Sequence, residues 1–168
     1  KNYTIADGLQ SNEFKQAKFL SKTGQIYLGG VNGFNEFYPD HISSIAFDPP
    51  LLFTDFQIFN QEVAVAQGKK SDSPLKASIA YENQITLSYK QSVITIDFAS
   101  LNYVNKEKKQ YSYILEGFDK QWHNLGLKNN VTYTNLDPGG YTLRVKGLNN
   151  EGAYSSKTAV LFIMVTPP

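Results

Sequence analysis

The stretch QYSYILEGFDKQWHNLGLKNNVTYTNLDPGGYTLRVKGLNN, Gln110 to Asn150, decides the fold. Tyr111, Tyr113 and Leu115 alternate with Ser112, Ile114 and Glu116, the two-residue period of a strand whose faces differ. Gly117 to Asn130 reads as a polar connection carrying Trp122, the only tryptophan. Val131 to Leu136 makes a second strand. Asp137-Pro138-Gly139-Gly140 reads as a type II turn, since Pro138 presets φ and Gly139 tolerates φ > 0. In the third strand Tyr141, Leu143 and Val145 alternate with Thr142, Arg144 and Lys146. Short alternating strands between turn signals indicate an all-β sandwich.

The same punctuation extends back to Leu51. Leu52, Phe56 and Ile58 fall on one face of a first strand, and Asn60-Gln61-Glu62 reads as its turn. Gln67 to Ala77 has the composition of a solvated loop, with Lys69 and Lys70 at its surface. Ile85, Leu87 and Tyr89, then Ile94, Ile96 and Phe98, alternate with polar residues on either side of Lys90-Gln91-Ser92, as a hairpin would. Asn105 to Lys109 is a charged turn. Thr158 to Val165 is apolar on both faces, so it is central in its sheet or meets a second surface. Counting from Leu51 gives about seven strands, the pattern of an immunoglobulin- or fibronectin III-like sandwich.

Residues before Leu51 differ. Phe14 to Leu20, Gln25 to Gly30 and Gly33 to Tyr38 are three short strands, the last two joined at Asn32-Gly33, a strong hairpin signal. A lone three-stranded meander buries too little to stand alone. Two readings fit: an edge extension of the sandwich, or a piece of a β-propeller blade, which neighbouring blades would cover. The expected division is residues 1–42 for this piece, 43–50 (SSIAFDPP) for a linker stiffened by proline, and 51–166 for the sandwich.

Composition narrows the function. The 168 residues carry a net charge of +1, and Arg144 is the sole arginine among 16 Lys and Arg. Nucleic-acid readers lean on arginine forks, so contact with nucleic acid is not expected. With no cysteine there is no disulfide, thiol nucleophile or thiolate metal site. No apolar run is long enough to span a bilayer; the longest is Ala159 to Val165. No signal peptide precedes Lys1, and the abrupt start and stop suggest a piece of a longer protein.

Chemical motifs are missing. His41 and His123 lie in expected loops, with no nucleophile elbow, metal-ligand spacing or phosphate-binding glycine loop near either. No catalytic, cofactor or metal residue is assigned. The aromatic residues leave a binding role open, because an exposed ring can stack on a sugar. Trp122 fits either such a site or packing at the core or an interface. Tyr141, after Leu136 and a Pro-Gly turn, resembles the tyrosine corner of sandwich domains, its phenol tied to backbone.

Two motifs in order carry a closer resemblance. Tyr113-x-Leu115-x-Gly117-x-Asp119-x-x-Trp122, followed by Tyr133-x-Asn135-Leu136-x-Pro138-Gly139-x-Tyr141, resembles the three-tyrosine (Y_Y_Y) domain of bacterial sensor proteins. The named tyrosines would be Tyr113, Tyr133 and Tyr141. Upstream, Asp7-Gly8-Leu9 with Ser11-Asn12-Glu13-Phe14, then Gly29-Gly30-Val31-Asn32-Gly33-Phe34-Asn35 and Phe37-x-Pro39, resembles the end of the sensor propeller that precedes this domain in that family. Gly147 stands where the family often has Ala.

The resemblance implies the periplasmic region of a hybrid two-component sensor, held in the inner membrane. By it, this segment follows upstream propeller blades, precedes a transmembrane helix near Val165-Thr166-Pro167-Pro168, pairs with a second copy of the sensor, and passes a signal to a histidine kinase that controls polysaccharide-utilisation genes. Sugar would be bound mainly on the propellers, outside this segment, and no cofactor is implied. The alternative is a fibronectin-like carbohydrate-binding or adhesion module of an exported protein, using Trp122.

Overall fold

Period-two alternation becomes strand throughout the computed structural model, which describes residues 3–42, 48–67, 72–101, 109–148 and 152–168. The chain divides into two units, Lys1–Ala46 and Phe47–Pro168. Among the described residues no helix is long and apolar enough to cross a membrane.

In the first unit β1 (Phe14–Leu20), β2 (Ile26–Gly30) and β3 (Gly33–Phe37) form an antiparallel meander flanked by short 3-10 helices at Ile5–Asp7 and Pro39–His41. The expected Asn-Gly hairpin is displaced by one residue. Gly30 pairs with Gly33, so Val31 and Asn32 span the turn and Gly33, at φ 120°, opens β3. The two glycine-bearing motifs of this unit are tied together. The Gln10 N–H donates to Asn35 Oδ1 (2.8 Å), Asn35 Nδ2 donates to the Gly8 carbonyl (3.0 Å), and the Asn32 N–H donates to Gln10 Oε1 (2.9 Å). Both faces of this small sheet are apolar. Phe19, Tyr27 and Phe34 line up on one at ring separations of 6.0 and 6.1 Å. Leu20, Ile26 and Phe37 are in register on the other.

The second unit is a two-layer sandwich. One sheet, ordered β10-β7-β4-β5, holds β4 (Leu51–Ile58), β5 (Gln61–Glu62), β7 (Val93–Ser100) and β10 (Asn130–Thr134). The other, ordered β6-β12-β11-β8-β9, holds β6 (Gln84–Ser88), β8 (Tyr111–Glu116), β9 (His123–Gly126), β11 (Gly139–Gly147) and β12 (Ala159–Thr166). Ile96 and Phe98 from the first sheet and Leu115, Leu143, Leu161 and Ile163 from the second are fully buried between them. Thr95 is buried as well, its hydroxyl 2.9 Å from that of Thr132 on β10.

Several expectations are corrected here. Two short edge strands, β5 and β9, bring the count to nine among the described residues. The residues read as a turn, Gln61 and Glu62, are β5; the turn is Phe59-Asn60, both at positive φ (51° and 60°). A bulge between Phe53 and Asp55 inverts the inward face of β4, so Phe53 and Phe56 are buried while Leu52 is exposed. The β6–β7 pair is not a hairpin. β6 runs parallel to β12, with Ile85 and Leu87 opposite Ile163 and Val165, whereas β7 lies in the other sheet. Alternation predicts which face is buried but not which strand is the neighbour. The loop before β6 is not wholly solvated, since Leu75 and Ile79 enter the core. The expected surface pair Lys69 and Lys70 lies outside the described residues, as do most of the charged turn and of the linker. β12 is an interior strand, between β6 and β11.

Candidate functional site

β8 ends at Glu116, where the chain must turn back. Gly117 does so at φ 95°, which L side chains rarely adopt. A Cβ there would lie 3.2 Å from both the Gly140 carbonyl oxygen and Tyr141 Cδ1. The N–H groups of Phe118 and Asp119 both donate to the Leu115 carbonyl (3.0 and 2.8 Å). In return Asp119 Oδ2 accepts the Leu115 N–H at 2.7 Å, so side chain and backbone close the turn from both directions.

The Asp119 carboxylate, 9% exposed, also organises the aromatic residues. Oδ2 receives the Tyr133 phenol at 3.4 Å, and Oδ1 lies 3.3 Å from His123 Nε2. The His123 ring stacks on Tyr113 at 5.2 Å, and Tyr113 meets Tyr133 edge-on at 6.3 Å. Phe118 covers Tyr133, again edge-on, at 5.9 Å. Burial pushes the Tyr133 phenol far above its ordinary value, and the Asp119 charge adds to the effect. Tyr113 is raised for the same two reasons, burial first. Both phenols therefore remain protonated at neutral pH, Tyr133 as a donor to the carboxylate.

Of the three named tyrosines, Tyr113 and Tyr133 are brought together about Asp119. Tyr141 stands apart, its phenol donating to the Asp137 carbonyl four residues upstream at 2.9 Å, the geometry of a tyrosine corner. The preceding reversal is not the expected type II turn. Asn135, at φ 53°, turns the chain, Leu136 packs against the core, and Pro138 leads into Gly139, already the first residue of β11. Gly139 pairs with Val165 of β12. Gly117, Leu136, Pro138, Gly139 and Tyr141 thus lie around the end of the sandwich at which β12 finishes.

Trp122 lies apart from this set, on the outer side of the five-stranded sheet. It is 38% exposed, with Lys146 Nζ 4.0 Å above its ring; the same ammonium is 4.8 Å from Tyr154. A sugar stacking on that face would have to displace a cation already bound to it. Beside it, Arg144 Nε and Glu116 Oε1 pair at 2.7 Å across β11 and β8.

Sequence reasoning passed over the residues that tie the tyrosines. Asp119 was visible only as one motif position, and His123 as a loop residue. His123 opens β9, directly opposite Tyr113. The polar stretch Gly117 to Asn130 hides that strand because β9 is short and lies at a sheet edge. Tyr111 was also missed. Its hydroxyl accepts the Ser100 N–H at 3.1 Å, linking the two sheets. Among the described residues no cluster of histidine and carboxylates could hold a metal.

Residues 102–166 match the Y_Y_Y domain family. Nearly the whole chain is similar to the extracellular parts of sensor proteins. It is 33% identical, over 99% of its length, to histidine kinase P4 of Formosa agariphila, of which it spans 12%. It is 31% identical to the extracellular domain of BT4673 from B. thetaiotaomicron, assigned to a hybrid two-component system (TM-score 0.64, 94% of this chain, 21% of that one). The extracellular domain of BT3049 from the same organism, 24% identical, has the same fold (TM-score 0.71, 98% of this chain, 22% of that one). The chain thus spans only a small part of each relative's length.

Proposed function

We propose that this segment is the membrane-proximal, periplasmic transmission element of a hybrid two-component sensor kinase. One observation carries the reading: residues of the three-tyrosine motif brace the end of the sandwich at which β12 finishes. Gly117, Asp119 and Tyr133 lock β8 to β10, and Tyr141 locks the start of β11. Movement imposed on the sandwich would then pass to the departing strand without being absorbed by its turns. A ligand bound elsewhere in the chain shifts the output only if its two states make different contacts, and a stiff element preserves that difference.

The first unit fits the last part of a β-propeller blade. Its sheet exposes large apolar side chains on both faces, Phe19 (64%) and Phe34 (63%) on one and Leu20 (64%) on the other. Such a sheet needs a layer on each side. Upstream blades of the same chain would supply these layers and carry the sugar site, with control of polysaccharide utilisation as the output. A second copy of the sensor is the expected partner. The occupied Trp122 face speaks against the carbohydrate-binding alternative.

The parent gene tests this reading. An apolar run of ~20 residues is expected soon after Pro168, with propeller repeats upstream; a stop codon directly after Pro168 would overturn it. Oligosaccharides titrated into the isolated segment should give no binding heat. Specific binding abolished by Trp122→Ala, with the circular dichroism spectrum unchanged, would establish the alternative.

A further inference from the structure

The end from which β12 departs has a second character, apart from its internal bracing. Strand register gathers three turns there. Val165 and Thr166 pair with Leu87 and Ser88, which places the turn carrying Tyr89 and Lys90 beside the departing chain. Ile58 pairs with Ile94, and the Phe59 N–H donates to the Val93 carbonyl at 2.9 Å, which brings in the Phe59-Asn60 turn. Thr142 pairs with Glu116, which brings Gly117 and Phe118 to the same end.

These turns leave aromatic rings in water. Phe59 is 52% exposed, Phe118 55% and Tyr89 44%. In the sandwich, Phe59 and Phe118 are the large exposed phenylalanines among the described residues, and both are at this end. Phe59 is doubly unfavourable for stability, since a bulky side chain is held at φ 51°, where Asn or Gly would sit with less strain. A ring kept at such a position without burial in the sandwich calls for a surface to receive it. Lys90 extends over Tyr89 with Nζ 5.7 Å from the ring. Lys120 and Asp137 are also exposed near this end, so its charge is mixed.

We propose that this end of the sandwich rests on the lipid headgroup layer of the membrane, with Phe59, Phe118 and Tyr89 inserted at the interface and Lys90 directed to phosphate. Aromatic rings and long cationic side chains both partition to that boundary. Because the charge is mixed, the contact relies on the rings and requires no anionic lipid. This inference rests on the membrane-proximal reading above.

The test uses the full parent chain in phosphatidylcholine vesicles containing headgroup nitroxide lipid. A fluorophore is attached to cysteine introduced singly as Phe59→Cys, Tyr89→Cys, Phe118→Cys or, as the distal control, Leu127→Cys. The first three should be quenched at least about twofold more than the control, as expected for interfacial residues. Quenching equal to that at Leu127 in a protein that floats with the vesicles would overturn the inference and leave the transmission reading standing. Copy-dependent self-quenching at these positions without lipid quenching would assign the surface to a second copy, and would also overturn it. A parent that does not float with vesicles would remove the membrane-proximal reading itself.

Discussion

Asp119 and Tyr133 meet across the sandwich at 3.4 Å, the phenol donating to the same carboxylate oxygen that holds the Leu115 N–H at 2.7 Å. One acid thus serves a turn, a sheet-to-sheet contact and, through Oδ1, a histidine. Removing it would leave a buried amide and a buried phenol without their acceptor. Asp119→Ala is expected to cost about 2–3 kcal/mol, and Asp119→Asn, which keeps an acceptor, about 1 kcal/mol or less. Urea unfolding of the two variants checks the order. A loss below about 0.5 kcal/mol for the alanine would show that the carboxylate does not brace this end.

The raised phenols make a pH prediction. A folded-state value above the ordinary 10.0 means that the native protein keeps protons which the unfolded chain releases. Their contribution to stability is therefore complete below about pH 10 and is lost as pH rises from there towards the folded-state values. The urea midpoint should fall as pH rises above about 10, and less steeply in Tyr133→Phe, which has no proton to lose. Equal slopes in the two proteins would place the alkaline loss elsewhere.

Gly117 and Gly139 form a matched pair. Both belong to the motif that resembles the three-tyrosine domain, yet only Gly117 is confined by backbone and by the Tyr141 ring. Gly139, at φ 156°, also holds a backbone conformation that L side chains rarely adopt, but it has nothing within 4 Å of a would-be Cβ. Gly117→Ala, which meets both strain and a clash, should destabilise by about 1–3 kcal/mol, and Gly139→Ala, strained only by its φ, by less. Thermal unfolding of both distinguishes them, and equal losses would contradict the steric account.

Trp122 reports on its own surroundings because the chain has no other tryptophan. Lys146→Met removes the ammonium 4.0 Å from the ring while keeping an extended side chain. Indole emission should change in intensity, and stability should fall by about 0.5–1 kcal/mol, the scale of an exposed cation–π contact. Unchanged emission would mean that the lysine does not occupy the ring in solution.

The layered β fold was legible because burial follows alternation. Ile85 and Leu87, Ile94 and Ile96, and Leu143 and Val145 are all buried as their period requires. Pairing was not legible, since β6 buries the same side chains beside β12 as it would beside β7. The β4 bulge was hidden for a related reason: one extra residue at Thr54 shifts the face without changing the composition. In the site, the tyrosines were visible as a motif and Tyr141 as a corner. The acid joining Tyr113 and Tyr133 was not, because its role depends on the Gly117 turn bringing Asp119 back onto Leu115. Local spacing supplied the turn's residues but not its curvature.

The central claim is that Gly117, Asp119, Tyr133 and Tyr141 make this end of the sandwich rigid. Hydrogen exchange at the Leu115 and Asp119 amides tests it most directly, since both amides close the turn after β8. Rigidity predicts that they exchange only with global unfolding, with the same opening free energy as the core amides of Leu143 and Leu161. Exchange through a local opening well below the global value would contradict the account.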